Sequence, residues 1–366
     1  MVKASLSELQ DFADSDDTAG VLDEAEELSE ESVPIRYDIT SYGADFLVDG
    51  LVGRLKSGDI LVPSFQRNFI WTLTDSSRFI ESLLLGLPVP GIFLSQDPEN
   101  RYLVVDGQQR LKTLQAFYEG IFRGREFRLQ NVDDLFKDKR YRDLAEADRR
   151  KLDNSVIHAT IVQQNEPSDD DSSIYNIFER LNAGGRRLYP QEIRASIFHG
   201  PFNDLLNDLN ETPAWRSVYG AKSERLKDVE LILRFLAMLF DLATYTKPMK
   251  TFLSKFMKSN QTLERHSAQE CRGQFVPTIE VIQRHLGDRA FKPTKAFNAA
   301  VYDSVMVGVA TRLSTGPIEL SDDFVRAYDE LLRNPQYRLA FSRSTSNDES
   351  VNTRVSLAKD AFSAVP

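Results

Sequence analysis

The spacing of apolar residues divides the chain into a first part with short strands and helices and a second part that is almost entirely helical. Four short apolar runs are typical of strands, namely residues 60–62, 91–96, 102–106 and 155–164. From about residue 202 onward, every clear pattern has a helical period. The sequence therefore predicts an α+β lobe with a small mixed sheet over residues 35–165, followed by a mostly helical lobe over residues 166–366.

The elements of the first part carry start and stop signals that can be read locally. One helix is predicted to begin with Thr74 as its N-cap and to end at Gly86. Another is predicted to begin at Gln108 and to end at Gly120. The second and third apolar runs are separated by turn-forming residues, which predicts a hairpin. Further helical segments are predicted at residues 46–55, 123–153 and 174–182, and from Pro190 onward.

One stretch, VVDGQQRLKTLQAF at residues 104–117, joins a predicted strand to a predicted helix through Asp106 and Gly107. Asp-Gly between apolar runs usually forms a hairpin turn, but the residues that follow it here have a helical apolar period. A strand-to-helix junction leaves backbone N–H groups unpaired beside the positive end of the helix dipole. Gly107 removes a Cβ that would block an incoming anion, and Arg110 places a cation where the helix itself disfavours one. The sequence therefore predicts a phosphate-binding turn.

Two other stretches carry residue types that suit the same ligand. Gln66 and Arg67 stand between two phenylalanines just beyond a strand, which suits a loop that stacks on a base and clamps a phosphate. A core-anchoring aromatic loop with a surface arginine is the alternative. Arg186 and Arg187 follow a second glycine-containing break, which a helix C-cap before a helical hairpin explains equally well.

The net charge of −10 lies in one segment of the chain. Residues 1–32 contain eleven acidic residues against Lys3, whereas the remaining chain has 44 basic and 44 acidic residues. We interpret residues 1–34 as an acidic, disordered tail that aids solubility. The alternative is a mimic of nucleic-acid charge that occupies a basic groove until it is displaced. Since the body is neutral, the overall charge does not exclude a nucleic-acid partner.

Several classes of protein are disfavoured by the composition. The most apolar stretch begins at Val229 but contains charged residues, so a buried core helix is expected and a membrane partner is not. The N-terminus lacks the pattern of a signal peptide. Cys271 is the single cysteine, which excludes an internal disulfide and a cysteine-based zinc site. A reducing, cytoplasmic location is therefore expected.

The motifs together resemble the N-terminal domain of GmrSD-type, modification-dependent restriction systems. The resemblance covers about residues 40–260, and its segments occur in the family's order: VPSFQRNFIW, LPVPGIFL, VVDGQQRLKTLQAF, IFERLNAGG, LYPQEIR and DVELILRFLA. It implies a ParB/sulfiredoxin-like fold, in which a strand-to-helix turn holds the phosphates of a nucleotide. It also implies nucleoside triphosphate binding and hydrolysis coupled to antiphage defence.

The resemblance extends to particular residues. The family's motif corresponds to Asp106, Gly107, Gln108, Gln109 and Arg110, and further residues expected to line the pocket are Gln66, Arg67, Asn182, Gly184 and Gly185. In the mechanism that we expect, Arg110 and the turn's amides hold the phosphates, and Asp106 binds Mg²⁺ through water or orients the attacking water. Gln108 or Gln109 positions that water, and Arg67 neutralises charge on the leaving group. An N-cap role for Asp106 is the structural alternative.

Many relatives add an HNH-type nuclease domain, whose metal site needs paired histidines and an asparagine. The four histidines of this chain show no such arrangement, so cutting is expected to depend on a separate nuclease subunit. Two rival functions stay open. One is a DNA reader without hydrolysis, which the neutral body and the basic run Arg140–Lys151 leave possible, and the other is a nuclease that uses Asp106 and Arg110 on DNA. An oligomer is also compatible with the sequence.

Overall fold

The structure is a computed structural model that describes residues 38–62, 71–96, 100–166, 177, 189–319 and 322–366. Residues Pro34–His199 form one compact unit, and Gly200–Pro366 belong to a second. The lobe boundary predicted after residue 165 lies inside the first unit. The predicted acidic tail and the helix predicted at 174–182, apart from Ile177, lie outside the described residues.

A five-stranded mixed sheet forms the centre of the first unit. Its strands are β1 (Asp38–Leu47), β2 (Ile60–Leu61), β3 (Ile92–Gln96), β4 (Tyr102–Asp106) and β7 (Val156–Glu166), in the order β1-β7-β3-β4-β2. The β1–β7 and β3–β4 pairs are antiparallel, whereas β7–β3 and β4–β2 are parallel. A separate two-stranded ribbon consists of β5 (Ile121–Phe122) and β6 (Arg125–Glu126). The β3–β4 hairpin was predicted, but β1 was not.

Five described helices complete the first unit: α1 (Val48–Ser57), α2 (Leu73–Leu85), α3 (Gln108–Glu119), α4 (Glu146–Asp153) and α5 (Pro190–Ile197). The first three pack on one sheet face, around core residues such as Leu94, Val104 and Ile161. Helix α5 packs on the other face, where Ile193 contacts Val105 and Phe93. The sheet therefore lies between two helical layers, and β4 is buried on both faces near its end.

Two local predictions in this unit are wrong. Thr72, not Thr74, caps α2: its Oγ1 accepts from the N–H of Asp75, whose carboxylate accepts from the N–H of Thr72. Thr72 and Asp75 have the spacing of a capping box, so the signal was present in the sequence. The charged segment 123–153 is not one helical excursion, because only α4 and a short 3-10 helix at Tyr141–Asp143 are helical there.

The second unit is helical throughout its described length. Its helices are α6 (Pro201–Leu209), α7 (Pro213–Tyr219), α8 (Lys227–Asp241), α9 (Met249–Ser259), α10 (Ala268–Leu286), α11 (Ala299–Leu313), α12 (Asp322–Arg333), α13 (Pro335–Ser342) and α14 (Asp348–Ser363). Helices α8 and α11 are largely buried, which confirms the predicted core helix near Val229. The α+β fold class with a helical second part is confirmed. In the part of the chain that the structure describes, no helix has the length and apolar character needed to cross a membrane.

Candidate phosphate-binding turn

The junction between β4 and α3 consists of a single residue. Strand β4 ends at Asp106, and Gly107 is the N-cap of α3 with φ 99° and ψ 9°. The first helical hydrogen bond runs from the N–H of Leu111 to the carbonyl of Gly107, at 3.0 Å. The three N–H groups before it precede the helical bonding pattern, and no described side chain caps them. The predicted strand-to-helix turn is confirmed, and Asp106 and Gly107 do not form a hairpin turn.

Gly107 is required by its backbone conformation and by its neighbours. Its positive φ lies in the left-handed region, which residues with a Cβ rarely adopt. A Cβ at this position would stand 2.5 Å from Cγ2 of Ile92 and 3.3 Å from Nη2 of Arg110. The expectation that glycine leaves this side open to a ligand is therefore wrong. The glycine instead lets the turn pack closely against β3.

We expect Gly107→Ala to destabilise the protein by about 2–4 kcal/mol. Left-handed strain accounts for about 1–2 kcal/mol, and the overlap with Ile92 adds roughly as much. Gly120→Ala is a matched control, since Gly120 also has a positive φ but no neighbouring atom within 4 Å of a Cβ. Urea unfolding of the two variants measures the difference. Equal destabilisation of both would contradict the packing role of Gly107.

Arg110 lies against the turn and forms an ion pair with the residue that precedes it. Nη2 of Arg110 donates to Oδ2 of Asp106 at 2.9 Å. The Arg110 side chain is 14% exposed and that of Asp106 is 46% exposed, so the carboxylate is the more accessible partner. Asp106 belongs to β4 and is not the N-cap of α3, so the capping alternative is wrong.

Two buried polar atoms at the turn have unused hydrogen-bonding capacity. Nε of Arg110 and Oε1 of Gln108 are both buried and have no partner among the described residues. An unpartnered buried donor costs about 1–3 kcal/mol, which a bound anion would offset. Because a carboxamide can flip, Gln108 can present either an acceptor or a donor at its position.

Gln109 connects the turn to the start of α2. Its Oε1 accepts a hydrogen bond from the backbone N–H of Trp71 at 3.2 Å. The backbone carbonyl of Trp71 accepts from Nη2 of Arg123 at 3.4 Å. Side chains therefore bind both the backbone N–H and the backbone carbonyl of this residue. The Trp71 ring packs edge to face on Phe79, with the ring centroids 5.6 Å apart. Gln109 therefore holds the residue that follows the VPSFQRNFI segment.

Nucleotide phosphates fit the groups present at the turn. The first-turn amides and Nε of Arg110 are donors, and the half-exposed carboxylate of Asp106 is an acceptor suited to a metal-bound water. The described residues include no group of three or more His, Cys, Asp or Glu side chains placed to hold a metal. One carboxylate suits Mg²⁺, which commonly takes its remaining ligands from phosphates and water.

The other predicted pocket residues lie outside the described residues. They are Gln66, Arg67, Asn182, Gly184 and Gly185. The structure therefore brings together five of the ten predicted site residues, all from the Asp106–Arg110 motif. Ile92, which faces Gly107, was not predicted from the sequence. Its signal was the hairpin register, which pairs Phe93 with Asp106 and so places Ile92 next to the turn.

Helix α5, which carries the LYPQEIR motif, supports the end of β4. Pro190 occupies its first turn as predicted, and the Glu192 carboxylate accepts from the backbone N–H of Tyr189 at 2.7 Å. Ile193 packs on Val105, the residue before Asp106. This helix therefore helps to fix the strand end from which the candidate site begins.

Three of the five basic residues in the run Arg140–Lys151 are paired with nearby carboxylates. Arg140 pairs with Asp143 at 2.6 Å and with Glu126 at 2.9 Å, and Arg150 pairs with Glu146. The hydrogen bond from Arg140 lowers the pKa of Asp143 to about 2. This run therefore gives little support to a DNA-binding function.

Fold and turn together define a class of α+β domain that presents a helix N-terminus and an Asp–Arg pair at the end of an interior strand of the sheet. Residues 48–199 match the model of the N-terminal domain of the GmrSD restriction endonuclease. This part of the chain therefore belongs to that domain family, which confirms the resemblance found in the sequence. The match ends at the same residue, His199, as the first structural unit.

A curated relative also matches the chain over a short range. An uncharacterized protein of Methanocaldococcus jannaschii is 37% identical over 89 residues, which cover 18% of this chain. The chain spans 15% of the length of that relative. The likeness therefore concerns a short segment of both proteins.

Proposed function

We propose that the first unit binds and hydrolyses a nucleoside triphosphate as part of a restriction or antiphage defence system. In this proposal the chain is a regulatory subunit that acts on DNA together with a separate nuclease. One observation carries the proposal: Gly107, the N-cap of α3, has no side chain to cap the helix start, and the buried Nε of Arg110 beside it has no partner among the described residues. The membership of residues 48–199 in a restriction endonuclease domain family supports the biological setting.

The Asp106–Arg110 pair has a defined place in this mechanism. The amides of residues 107–110 and the guanidinium of Arg110 hold the phosphates, and the ion pair with Asp106 keeps that guanidinium in place. When bound, Mg²⁺ supplies positive charge to the phosphate oxygens. Asp106 would hold Mg²⁺ through water, or would orient the attacking water, with its half-exposed carboxylate.

The two glutamines of the motif differ in their contacts, which suggests a division of roles. Gln109 has its oxygen bound to the N–H of Trp71, so we assign it to positioning rather than to direct contact with the attacking water. Gln108 has a buried oxygen without a partner in the described part of the chain, so we assign water or phosphate contact to it. By family resemblance we also assign nucleotide contacts to Gln66, Arg67, Asn182, Gly184 and Gly185.

A panel of nucleoside triphosphates tests this function. Phosphate release from each nucleotide is measured with and without plasmid DNA, and gel electrophoresis of the same reactions reports nicking. Turnover with intact plasmid supports the proposal. Salt-sensitive DNA binding without turnover would favour the DNA reader. Metal-dependent nicking that Asp106→Ala abolishes would favour a nuclease that uses the same motif.

A further inference from the structure

A two-residue turn that follows α3 places an arginine in an uncommon backbone conformation. Strands β5 and β6 pair Phe122 with Arg125, so Arg123 and Gly124 form the turn between them. Both turn residues have positive φ, 48° for Arg123 and 78° for Gly124, as a type I′ hairpin turn requires. Asn-Gly is the usual choice for such a turn, because asparagine visits the left-handed region more readily than a long side chain does. Arg123 is therefore placed against its local preference.

The guanidinium of Arg123 contacts the residue that precedes the N-cap of α2. Its Nη2 donates to the backbone carbonyl of Trp71 at 3.4 Å, a long hydrogen bond between residues 52 positions apart. The guanidinium also lies 5.5 Å from the ring centroid of Phe122, which is buried. The Phe122 ring packs edge to face on Phe127, whose backbone N–H donates to the carbonyl of Gly120 at the end of α3. The hairpin that carries Arg123 is therefore fixed to the core and to α3.

Trp71 is held by groups from the two ends of α3. Its backbone N–H donates to Oε1 of Gln109 in the first turn, at 3.2 Å. Its backbone carbonyl accepts from Arg123, which lies just beyond the last turn. A displacement of Trp71 would therefore disturb the Gln109 side chain, and Gln109 lies between Gln108 and Arg110 in the turn that carries the candidate site.

We infer that Arg123 is a positioning residue for the phosphate-binding turn and that it acts through Trp71 and Gln109. The inference rests on the proposed function, because it takes the first turn of α3 as the nucleotide site. Residues in uncommon backbone conformations are concentrated at functional sites, where the surrounding structure holds them in place. A contact that is present both before and during the reaction affects substrate binding more than the chemical step. Loss of the Arg123 side chain should therefore weaken nucleotide binding and leave the rate at saturation nearly unchanged.

The variant Arg123→Asn separates positioning from a purely structural role. Asparagine suits the left-handed turn position but is too short to reach the Trp71 carbonyl, so we expect the urea midpoint of unfolding to stay equal or to rise. We expect KM for the triphosphate to rise about fivefold to tenfold, with kcat lowered less than about twofold. Acrylamide should quench tryptophan fluorescence more strongly, because Trp71 is held less firmly and the second tryptophan, Trp215, is fully buried.

Two further variants control this experiment. Arg125→Asn makes the same chemical change at an exposed arginine of the same hairpin, so KM and quenching should remain as in wild type. Arg123→Lys keeps a cationic donor on a long side chain without the planar guanidinium, so it should recover part of the nucleotide affinity.

The outcomes separate this inference from the proposed function. Unchanged KM and quenching in Arg123→Asn would overturn the inference, and so would equal effects in Arg125→Asn. A lower urea midpoint with unchanged KM would also overturn it, because that result assigns Arg123 a purely structural role. Absence of nucleotide binding and turnover in wild type is instead the failure of the proposed function. In that case the quenching comparison alone decides whether Arg123 holds Trp71: stronger quenching supports this role, and equal quenching overturns it.

Discussion

Replacing Arg110 with alanine should lower the rate of triphosphate hydrolysis at least about 100-fold and weaken nucleotide binding. The guanidinium lies against the turn, and removal of a single preorganised charge-stabilising donor typically costs 100-fold to 1000-fold in rate. The variant also removes the partner that fixes Asp106. Phosphate release and calorimetric nucleotide binding measure the two effects.

The fold should survive this change, because the Asp106–Arg110 pair is partly exposed and such pairs contribute at most about 1 kcal/mol. Arg110→Lys keeps the charge but loses the planar fork, so we expect an intermediate rate. Arg78→Ala is the control, since Arg78 is an exposed arginine on α2 in the same unit. Unchanged turnover and binding in Arg110→Ala would refute the assignment of the site.

Asp303→Asn should destabilise the protein by about 3–5 kcal/mol. Asp303 on α11 is fully buried and accepts two hydrogen bonds from Arg234 of α8, at 3.1 and 2.8 Å. Its Oδ2 also accepts from Nη2 of the buried Arg354 on α14, at 3.2 Å. Neutralising the carboxylate leaves two arginines in the core without their anion, which is a costly arrangement. Urea unfolding measures the change.

Asp329→Asn is the matched control for this prediction. Asp329 pairs with Arg289 at 3.1 Å near the surface, so the same chemical change should cost less than about 1 kcal/mol. Adding Arg354→Met to Asp303→Asn should recover part of the lost stability, because it removes one uncompensated charge. Similar costs for the two single variants would show that the buried cluster does not stabilise the core.

Elements with complete local signals were predicted from the sequence. Helix α3 begins and ends where the apolar period and Gly120 indicated, and the β3–β4 hairpin follows from two apolar runs around a turn. Strand β1 was missed because its residues show weak alternation and much of the strand is exposed. Its pairing with β7 joins residues more than a hundred positions apart, and local patterns carry no information on such a partner.

The candidate site was predicted in outline but not in its contacts. The motif Asp106–Arg110 was found from a strand, a glycine and a helix that are contiguous in the chain. Two contacts were not predicted, because they join different elements: the packing of Gly107 on Ile92 and the hydrogen bond from Trp71 to Gln109. The role of glycine in particular changed, from an open approach for a ligand to close packing against β3.

The sequence by itself determined the class of fold, the strand-to-helix turn and the domain family, since these depend on periodicity and on contiguous motifs. Only the tertiary structure decided how charges are paired. It paired Arg140 and Arg150 of the basic run with carboxylates and placed Asp303 between two buried arginines. Charge pairing depends on which distant residues the packed elements bring within a few ångströms, and the linear order of residues does not contain that distance.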